Sequence, residues 1–306
     1  MARTKDPHAA TVKAWLTRKR GSASIREREQ KLSGRVSKTE DLGGGVATTF
    51  KVTLEDGTMG NFKLDEGNYV SAPEHEVGAW EVAKLVGMDD MVPPAIIRVI
   101  GNPYPTTEAG LGERDWADAW DPPPGLPPGA VRIKLGGKMH RGVDGGVPGD
   151  PSKMRGSFAE WQEGTDAQTA RAMGTFGDGR SVAPFGDSEH DVRRAAMFDF
   201  IIGNCDRHSG NWVVDADDKI KLIDHNRAFY NGPANSSFVR KLVREKSAVG
   251  PSAYAKPYLE KKSHILDALA RIGLSAARVE GVSKRIDWAV SASGWGGLDG
   301  MYPEWP

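Results

Sequence analysis

The sequence has a single cysteine, no net charge and no long apolar run, and each absence excludes a class of protein. With only Cys205, the chain cannot form an intramolecular disulfide framework or a zinc site of paired thiolates. Its 41 basic and 41 acidic side chains cancel, so no overall field attracts it to nucleic acid or to an anionic membrane. No apolar run approaches the ~18 residues of a membrane span, and the start has no signal-peptide core. We therefore expect a soluble, cytoplasmic protein without nucleic acid as a partner.

The chain begins with a polar, basic segment over residues 1–35. Its basic side chains surround one short apolar piece, made of Val12, Trp15 and Leu16. This composition predicts a solvated or partly helical extension, and the alternative is a docking peptide for a partner or an anionic surface. With 306 residues, 39% of them hydrophobic, the chain has room for one large domain or two lobes.

Residues 34–100 carry the pattern of a small α+β unit. Three strand-like runs are separated by turn residues: 35–42, 46–54 and 58–64. Asp56-Gly57 between the last two runs is a hairpin signal. Pro73 opens a helix over 74–86 that ends at Gly87, and Val92-Pro93-Pro94 leads into a strand over 95–100. The order of strands, helix and strand predicts an α+β lobe.

Beyond this lobe the sequence changes character. Residues 101–130 contain seven prolines and several glycines, which predicts a long surface insertion. Residues 157–163 form a short strand-like piece suited to connecting two lobes. Helical patterns follow over 189–203, 236–246, 251–272 and 276–292. The second half is therefore expected to be mostly helical.

One segment concentrates polar residues that chemistry requires. It reads Asn204-Cys205-Asp206-Arg207-His208-Ser209-Gly210-Asn211, and two strand-like runs, 212–214 and 219–223, follow around an Asp-rich turn. These runs predict a hairpin. Asp206 and Asn211 lie on the loop that enters the hairpin, and Asp224 follows its exit. Folding the hairpin therefore brings these three residues to one end of it.

This set fits phosphoryl transfer, which demands positioning and charge neutralisation. Asp206 can orient the attacking hydroxyl and accept its proton, while Asn211 and Asp224 can ligate a magnesium ion that bridges the phosphates. Oxygen ligands of this kind are those that magnesium prefers. Arg207 and His208 are predicted to position the loop or to contact phosphate. The structural alternative is a capped turn whose side chains only form hydrogen bonds.

The Asp-Arg-His-x-x-Asn run, the hairpin and Ile223-Asp224 resemble the phosphatidylinositol 3-/4-kinase-like and HipA-like kinases. The layout is most similar to that of the type II phosphatidylinositol 4-kinases. The resemblance covers roughly residues 36–235 and implies an α+β, bilobal protein-kinase-like fold, with a β-rich N-lobe and a mostly helical C-lobe, that uses ATP and Mg²⁺. His225-Asn226 replaces the glycine that the family usually has after the metal-binding Asp, and Asn accepts a left-handed backbone nearly as well.

A catalytic loop of this kind needs an upstream lysine for the α- and β-phosphates and a carboxylate to hold it. Lys63 is flanked by apolar residues, and their alternation directs Lys63 to the opposite face of its strand. Glu76 lies on the apolar stripe of the following helix, where a carboxylate requires a cation, and the family carries both residues. Two further groups are predicted to bind the nucleotide: the backbone amides of Gly43, Gly44 and Gly45 at the phosphates, and Glu160 and Trp161 at the adenine.

The sequence thus predicts three regions: a basic N-terminal extension (1–35), an N-lobe with its insertion (36–156), and a C-lobe (157–306). The predicted function is transfer of the γ-phosphoryl of ATP to a hydroxyl of a protein or an inositol lipid, with a protein slightly favoured. Two alternatives stay open. One is a non-catalytic kinase-like scaffold in a larger assembly, and the other is nucleotidyl (AMP) transfer on the same fold.

Overall fold

The fold is that of a computed structural model of the chain. The structure describes residues 24–42, 49–65, 72–101, 130–135, 138–143, 146–147, 150–166, 188–215, 219–230, 236–244, 247 and 249–298. Three predicted features lie outside these residues: residues 1–23 of the basic extension, the glycine loop of Gly43, Gly44 and Gly45, and the insertion between 101 and 130.

An antiparallel sheet with the strand order β1-β2-β3-β8-β4 forms the first lobe. Its strands are β1 (Val36–Asp41), β2 (Thr49–Leu54), β3 (Met59–Leu64), β4 (Ala95–Gly101) and β8 (Asp150–Glu160). Between β4 and β8 in sequence lie a separate antiparallel pair, β5 (Ala130–Leu135) and β6 (Lys138–Val143), and the short β7 (Gly146–Val147), which pairs with β8.

The sheet has two faces of different character. Phe50, Phe62 and Phe158 lie opposite one another on β2, β3 and β8 and belong to the apolar core of this lobe. Lys63 and its partner Ser157 are one position further along. Since successive side chains of a strand point to opposite faces, Lys63 lies on the face away from this core. The register therefore turns Lys63 toward the second lobe.

The helix α2 (Pro73–Val86) connects β3 to β4, and both of its ends follow sequence signals. Pro73 occupies the first turn, where a backbone N–H has no partner within the helix. Proline, which lacks this N–H, therefore costs no hydrogen bond there. Gly87 ends the helix with a φ of 75°, a left-handed conformation that glycine adopts without strain. Trp80 is fully buried and Glu76 is 4% exposed. The helix thus places a carboxylate within its buried face, as its sequence predicts.

The second lobe is mostly helical. Its helices are α3 (Ser188–Ile202), α4 (Ser237–Arg244), α5 (Ser252–Glu260), α6 (Lys262–Arg271) and α7 (Ala276–Ser291), followed by a 3₁₀ turn over Trp295–Gly297. A small sheet of order β11-β10-β9 accompanies them, with β9 (Thr165–Asp166), β10 (Trp212–Val214) and β11 (Ile220–Leu222). Apolar residues of α2 and of this lobe share one core. The architecture confirms the predicted α+β fold, with a β-rich first lobe and a mostly helical second lobe. Across the described ranges, no helix has the length and apolar character needed to cross a membrane.

A helix inside the predicted N-terminal extension packs on the first lobe. This helix, α1 (Ile25–Lys31), begins at Ser24, which forms a reciprocal capping box with Glu27. Leu32, directly after it, is fully buried in the core of the sheet. Residues 25–34 are therefore part of the folded lobe and not a solvated extension, because the side chain of Leu32 is buried in the core of that lobe.

Two charged residues of α1 strengthen this contact. Arg28 Nη2 lies 2.9 Å from Glu160 Oε2 at the end of β8. Glu29 accepts a hydrogen bond from Trp80 Nε1 at 2.7 Å and another from Lys84 Nζ at 2.6 Å. The helix α1 thus holds both α2 and the strand that leads to the second lobe.

The strand that leads to the second lobe is longer than predicted. Residues 157–160 are the end of β8, an 11-residue strand that starts at Asp150, and residues 161–164 make the connection to β9. Ser157 pairs with both Lys63 and Ile97 inside the sheet. A lobe boundary at residue 156 would divide this strand. The single helix predicted over 251–272 is likewise two helices, α5 and α6, which meet at Lys261.

Replacing Leu32 with alanine tests whether the segment before β1 stabilises the lobe. We expect Leu32→Ala to lower the free energy of unfolding by about 2–5 kcal/mol, because truncating a buried leucine leaves a cavity. Leu42→Ala is the matched control, since the same change at a side chain that is 44% exposed should cost less than ~0.5 kcal/mol. Chemical denaturation of both variants measures the difference. Equally small losses would show that residues 24–34 do not belong to the folded lobe.

Candidate active site

The helix α3 leads directly into the loop that carries Asp206, and a glycine allows the turn. Gly203 has a φ of 60°, in the left-handed region that favours glycine. A Cβ at this position would also lie 2.5 Å from the guanidinium carbon of Arg285. Asn204 Oδ1 then accepts the backbone N–H of Asp206 at 2.9 Å. This side-chain turn fixes the start of the loop.

Arg207 lies beneath the loop and not in the cleft. Its Nε is 3.1 Å from Asp199 Oδ1, and both side chains are completely buried. Its Nη1 donates to the backbone carbonyl of Asn211 and, at 2.6 Å, to that of Ile223. Because the guanidinium is buried among these partners, contact of Arg207 with phosphate is corrected, and the other predicted role fits: Arg207 positions the loop by holding Asn211 and the residue before Asp224.

Asp199 of α3 is the acceptor that holds this buried cation. Ser236 Oγ donates to its Oδ2 at 2.7 Å, and Asn204 Nδ2 donates to its Oδ1 at 3.3 Å. A buried carboxylate requires such partners, because desolvation of the charge is otherwise uncompensated. Asp199 therefore joins the start of the loop, its central arginine and the residue before α4.

His208 and Asn211 have different surroundings on the same loop. His208 is exposed, and its Nδ1 accepts the backbone N–H of Gly210 at 3.0 Å, so it shapes the turn. Asn211 is 6% exposed, and its Nδ2 donates to the backbone carbonyl of Asp206 at 2.8 Å. Because the amide nitrogen is used in this way, Oδ1 is the atom of Asn211 that can face a cation. Contact of His208 with phosphate stays a prediction.

Asp224 follows β11 with a left-handed backbone, at a φ of 57°. Asp is one of the few residues besides glycine that adopt this region readily. The left-handed position is thus Asp224 itself and not Asn226, where the resemblance implies it. The N–H of Ile223 donates to the carbonyl of Asn211 at 3.1 Å, which holds the exit of the hairpin against the loop. Asp206, Asn211 and Asp224 are thereby brought to one end of the hairpin.

Lys63 joins the sheet to α2 and to the hairpin exit. Its Nζ lies 3.2 Å from Glu76 Oε2 and 2.8 Å from Asp224 Oδ1. Burial alone lowers the pKa of Lys63, but the two carboxylates outweigh it, so the pKa lies above its usual value. For Glu76, burial raises the pKa, but the charges and hydrogen bonds of Lys63 and His225 together outweigh it, so the pKa lies below its usual value. The structure therefore brings Lys63 and Glu76 together as a charged pair.

Glu76 has a second partner, His225, which the sequence analysis did not identify. The backbone N–H of His225 donates to Glu76 Oε2 at 2.9 Å, and its Nδ1 lies 3.2 Å from Oε1. The ring is buried, with Phe198 edge-on at 5.8 Å between centroids. Burial lowers the pKa of His225, so the ring is neutral and its Nδ1–H donates to the carboxylate. The residue after Asp224 is thus fixed to α2.

His75 also connects α2 to the segment after Asp224. Its Nδ1 lies 2.6 Å from the carbonyl oxygen of Asn226, and its Nε2 faces the guanidinium of Arg278 on α7. Because an arginine can only donate, Nε2 is the acceptor and Nδ1 carries the proton. Burial lowers the pKa of His75 to about 4. The neutral ring therefore links α2, Asn226 and α7.

The residues predicted to border the adenine have partners within the protein. The carboxylate of Glu160 is bound to Arg28 of α1, and contact of Glu160 with the adenine stays a prediction. The ring of Trp161 lies under Lys51 Nζ, 4.5 Å from the ring centroid. The N–H of Trp161 donates to the carbonyl of Met59 at 2.9 Å. Adenine contact by Trp161 stays a prediction.

The atoms best placed to hold a cation are the oxygens of Asn211 and Asp224. Within the described part of the chain, no group of three or more His, Cys, Asp or Glu side chains could hold a metal by itself. Magnesium fits so small a set, since it keeps several waters and takes one or two carboxylates together with phosphate oxygens. The oxygens of Asn211 and Asp224 therefore fit a metal ion that arrives with the nucleotide. They fit a permanently bound metal less well.

One exposed cation lies beside Asp206. Arg227 Nε is 3.8 Å from Asp206 Oδ2, and the two side chains are 39% and 34% exposed. Sequence reasoning missed Arg227, as it missed Asp199 and His225. The sequence does contain a signal for Asp199. An acidic residue between Phe198 and Phe200, within a helical apolar pattern, is expected to be buried and to need a cationic partner. The same reasoning identifies Glu76.

The chain matches no protein-family model, and no curated protein matches it. Among solved structures it is similar to the Golgi casein kinase, at 15% identity and a TM-score of 0.47, over 87% of this chain and 73% of that chain. The Golgi casein kinase with Mn and ADP bound gives the same identity and TM-score, over 87% and 74%. Hydra Fam20 with sugar is 13% identical, with a TM-score of 0.43 over 86% of each chain.

Likeness at these values does not establish a shared function. It also gives no support to the finer assignment of the motif to the phosphatidylinositol 3-/4-kinase-like and HipA-like kinases.

Arg207 and Asp206 are neighbours that should respond differently to substitution. Arg207→Ala leaves Asp199 buried without its cation, so we expect a loss of about 3–5 kcal/mol in the free energy of unfolding. Asp206→Asn removes a charge from a partly exposed loop position and should cost less than ~1 kcal/mol. Denaturant titrations compare the two. A normal unfolding curve for Arg207→Ala would mean that this arginine does not anchor the loop.

Acidification should destabilise the protein partly through His75. Its pKa in the fold, about 4, lies below that of an ordinary histidine, so the unfolded chain binds the proton first as the pH falls. Stability is then lost below pH ~6.5, by ~2 kcal/mol between pH 7 and pH 5. Burial dominates this shift, while Arg278 opposes protonation and Glu74 and Glu76 favour it.

The measurement is the denaturation midpoint of wild type and His75→Asn between pH 7 and pH 5. We expect a flatter profile for the variant, because asparagine keeps a donor near the carbonyl of Asn226 but does not titrate. His264→Asn replaces an exposed histidine and serves as the control. Identical profiles for wild type and His75→Asn would contradict the assignment of a neutral buried ring.

Proposed function

We propose that this chain is an ATP- and metal-dependent phosphotransferase that moves the γ-phosphoryl of ATP to a hydroxyl. The observation that supports this most is the position of Lys63, whose ammonium contacts both Glu76 and Asp224. A strand lysine paired with a helix glutamate, beside a metal-binding Asp, is the arrangement on which kinase activity depends. The loop with Asp206 and Asn211 meets the same point through the bond from Ile223 to Asn211.

In the proposed reaction, the oxygen of the acceptor hydroxyl forms a bond to the γ-phosphorus. The bond from the γ-phosphorus to the β–γ bridging oxygen breaks, and its electron pair leaves with ADP. Asp206 orients the hydroxyl and accepts its proton. Lys63 contacts the α- and β-phosphates. A magnesium or manganese ion held by Asn211 and Asp224 would neutralise phosphate charge.

The finer assignments are proposals of the same kind. The acceptor is a hydroxyl of a protein or of an inositol lipid, and a protein is favoured because the sequence carries no net basic charge for an anionic membrane. Kinship with the phosphatidylinositol 3-/4-kinase-like and HipA-like kinases rests on the Asp206-to-Asn211 run and Asp224. The cytoplasmic location and docking through the basic N-terminal segment also stay proposals.

Nucleotide binding can be tested before any acceptor is known. ATP with Mg²⁺ or Mn²⁺ should raise the melting temperature, because a ligand of the native state stabilises it by ~2.7 kcal/mol at a hundred times its Kd. Asp224→Asn should lose this stabilisation. Asp206→Asn should keep it but lose transfer by on the order of 100-fold or more. Asp267→Asn, at an exposed position of α6, is the matched control and should keep both.

Labelled ATP then separates the proposal from its two alternatives. With γ-labelled ATP, the wild type should label lysate proteins or phosphatidylinositol vesicles, and Asp206→Asn should not. Label carried over from α-labelled ATP instead would identify AMP transfer. If millimolar ATP and metal do not change the melting temperature and no label is transferred, the proposed enzymatic activity is wrong. The non-catalytic kinase-like scaffold is then the remaining alternative.

A further inference from the structure

We propose that Arg227 binds the γ-phosphoryl group of the nucleotide and stabilises its charge during transfer. The inference rests on the proposed function. The loop from Asp206 to Asn211 provides no positive charge for the transferred phosphoryl group, and Arg227, which lies outside this loop, would supply it.

Transfer of a phosphoryl group spreads negative charge over its three outer oxygens, and enzymes place a cation there. Lys63 is poorly suited to this task, because its ammonium lies between Glu76 and Asp224, on the side assigned to the α- and β-phosphates. A second cation is therefore needed on the side of Asp206, where the acceptor hydroxyl attacks.

The cationic residues of the loop itself do not meet this need. Arg207 is 1% exposed, and its guanidinium is committed to Asp199 and to two backbone carbonyls beneath the loop. His208 uses its Nδ1 to accept the N–H of Gly210, which requires that nitrogen to be unprotonated. A ring in this state carries no full positive charge.

Arg227 has the charge, the exposure and the position. Its Nε lies 3.8 Å from Asp206 Oδ2, and its side chain is 39% exposed. Its backbone is fixed, because its carbonyl accepts the N–H of Cys205 at 3.4 Å and the N–H of Ala228 donates to the carbonyl of His225 at 2.9 Å. An arginine with a fixed backbone and a partly exposed side chain can turn toward a ligand without rearranging the loop.

The contact between Arg227 and Asp206 is weak enough to be exchanged. A partly exposed ion pair at this distance contributes ~1 kcal/mol or less. The guanidinium is always charged, and its planar donors match the oxygens of a phosphate in pairs. When ATP is bound, the donors of Arg227 move to the γ-phosphoryl oxygens. The carboxylate of Asp206 is then released to accept the proton of the acceptor hydroxyl.

The test uses the difference between ADP and ATP, which is the γ-phosphoryl group alone. Melting shifts are measured for the full chain with Mg²⁺ and either ADP or a non-hydrolysable ATP analogue, for wild type, Arg227→Ala, Arg227→Lys and Arg271→Ala. Arg271 is an exposed arginine of α6 and the matched control. The melting temperature without nucleotide shows whether each variant is folded.

We expect Arg227→Ala to weaken binding of the ATP analogue by about tenfold or more while ADP binding is unchanged. Arg227→Lys should recover part of this loss, since the lysine ammonium keeps the positive charge but lacks the paired donors of the guanidinium. In the labelling assay, Arg227→Ala should lower kcat by on the order of 100-fold with little change in KM for the acceptor, and added guanidinium should restore part of the rate. Arg271→Ala should match the wild type throughout.

The outcomes distinguish this inference from the proposed function on which it rests. If neither nucleotide shifts the wild type, the proposed phosphotransferase activity is wrong. If both nucleotides bind the wild type, and Arg227→Ala loses neither or loses both equally, the phosphotransferase survives and the role of Arg227 is overturned.

Discussion

The ammonium group of Lys63 is the point at which three distant parts of the chain are joined by charge. It is almost completely buried, and it lies within 3.2 Å of Glu76 on α2 and within 2.8 Å of Asp224 at the hairpin exit. The charges of Lys63 and Glu76 would be costly to bury alone, because their desolvation is compensated only by a partner of opposite charge. The position of the sheet, of α2 and of the hairpin therefore depend on one another. The same dependence places a lysine, a glutamate and an aspartate where a nucleotide could meet them.

A second buried ion pair, Arg207 with Asp199, holds the loop in place, as Lys63 and its partners hold the two lobes together. The side chains of Arg207 and Asp199 have no solvent exposure. Arg207 Nη1 donates to backbone carbonyls of the loop and of the hairpin exit, and Asp199 accepts from the side chains of Ser236 and Asn204. The site thus separates into buried charges that position it and partly exposed groups that are left for chemistry, such as Asp206 and Arg227. Burial is what assigns the roles, since a fully enclosed guanidinium cannot reach a ligand.

The segment after Asp224 is attached to α2 at several points. His225 binds Glu76 and the carbonyl of Asn226 binds His75. Phe229 has a φ of 59°, and a Cβ on Gly78 of α2 would lie 2.9 Å from its ring, so only glycine allows this approach. Any shift of α2 would therefore disturb both Lys63 and the segment that carries Arg227. The geometry of the site is a property of this packing and not of the loop alone.

The sequence by itself determined the local features, because turn residues, alternation and capping act over a few neighbours. Strands β1 to β4, α2 between Pro73 and Gly87, the hairpin before Asp224, and Glu76 on a buried helical face all followed from such signals. Only the tertiary structure decided which charges meet. Arg207 proved buried, Glu160 proved bound to α1, and His225 and Arg227 gained their places through partners far away in sequence, for which no local pattern exists. Burial and long-range pairing depend on the whole packed chain, so they separate the residues that hold the site from those that can react.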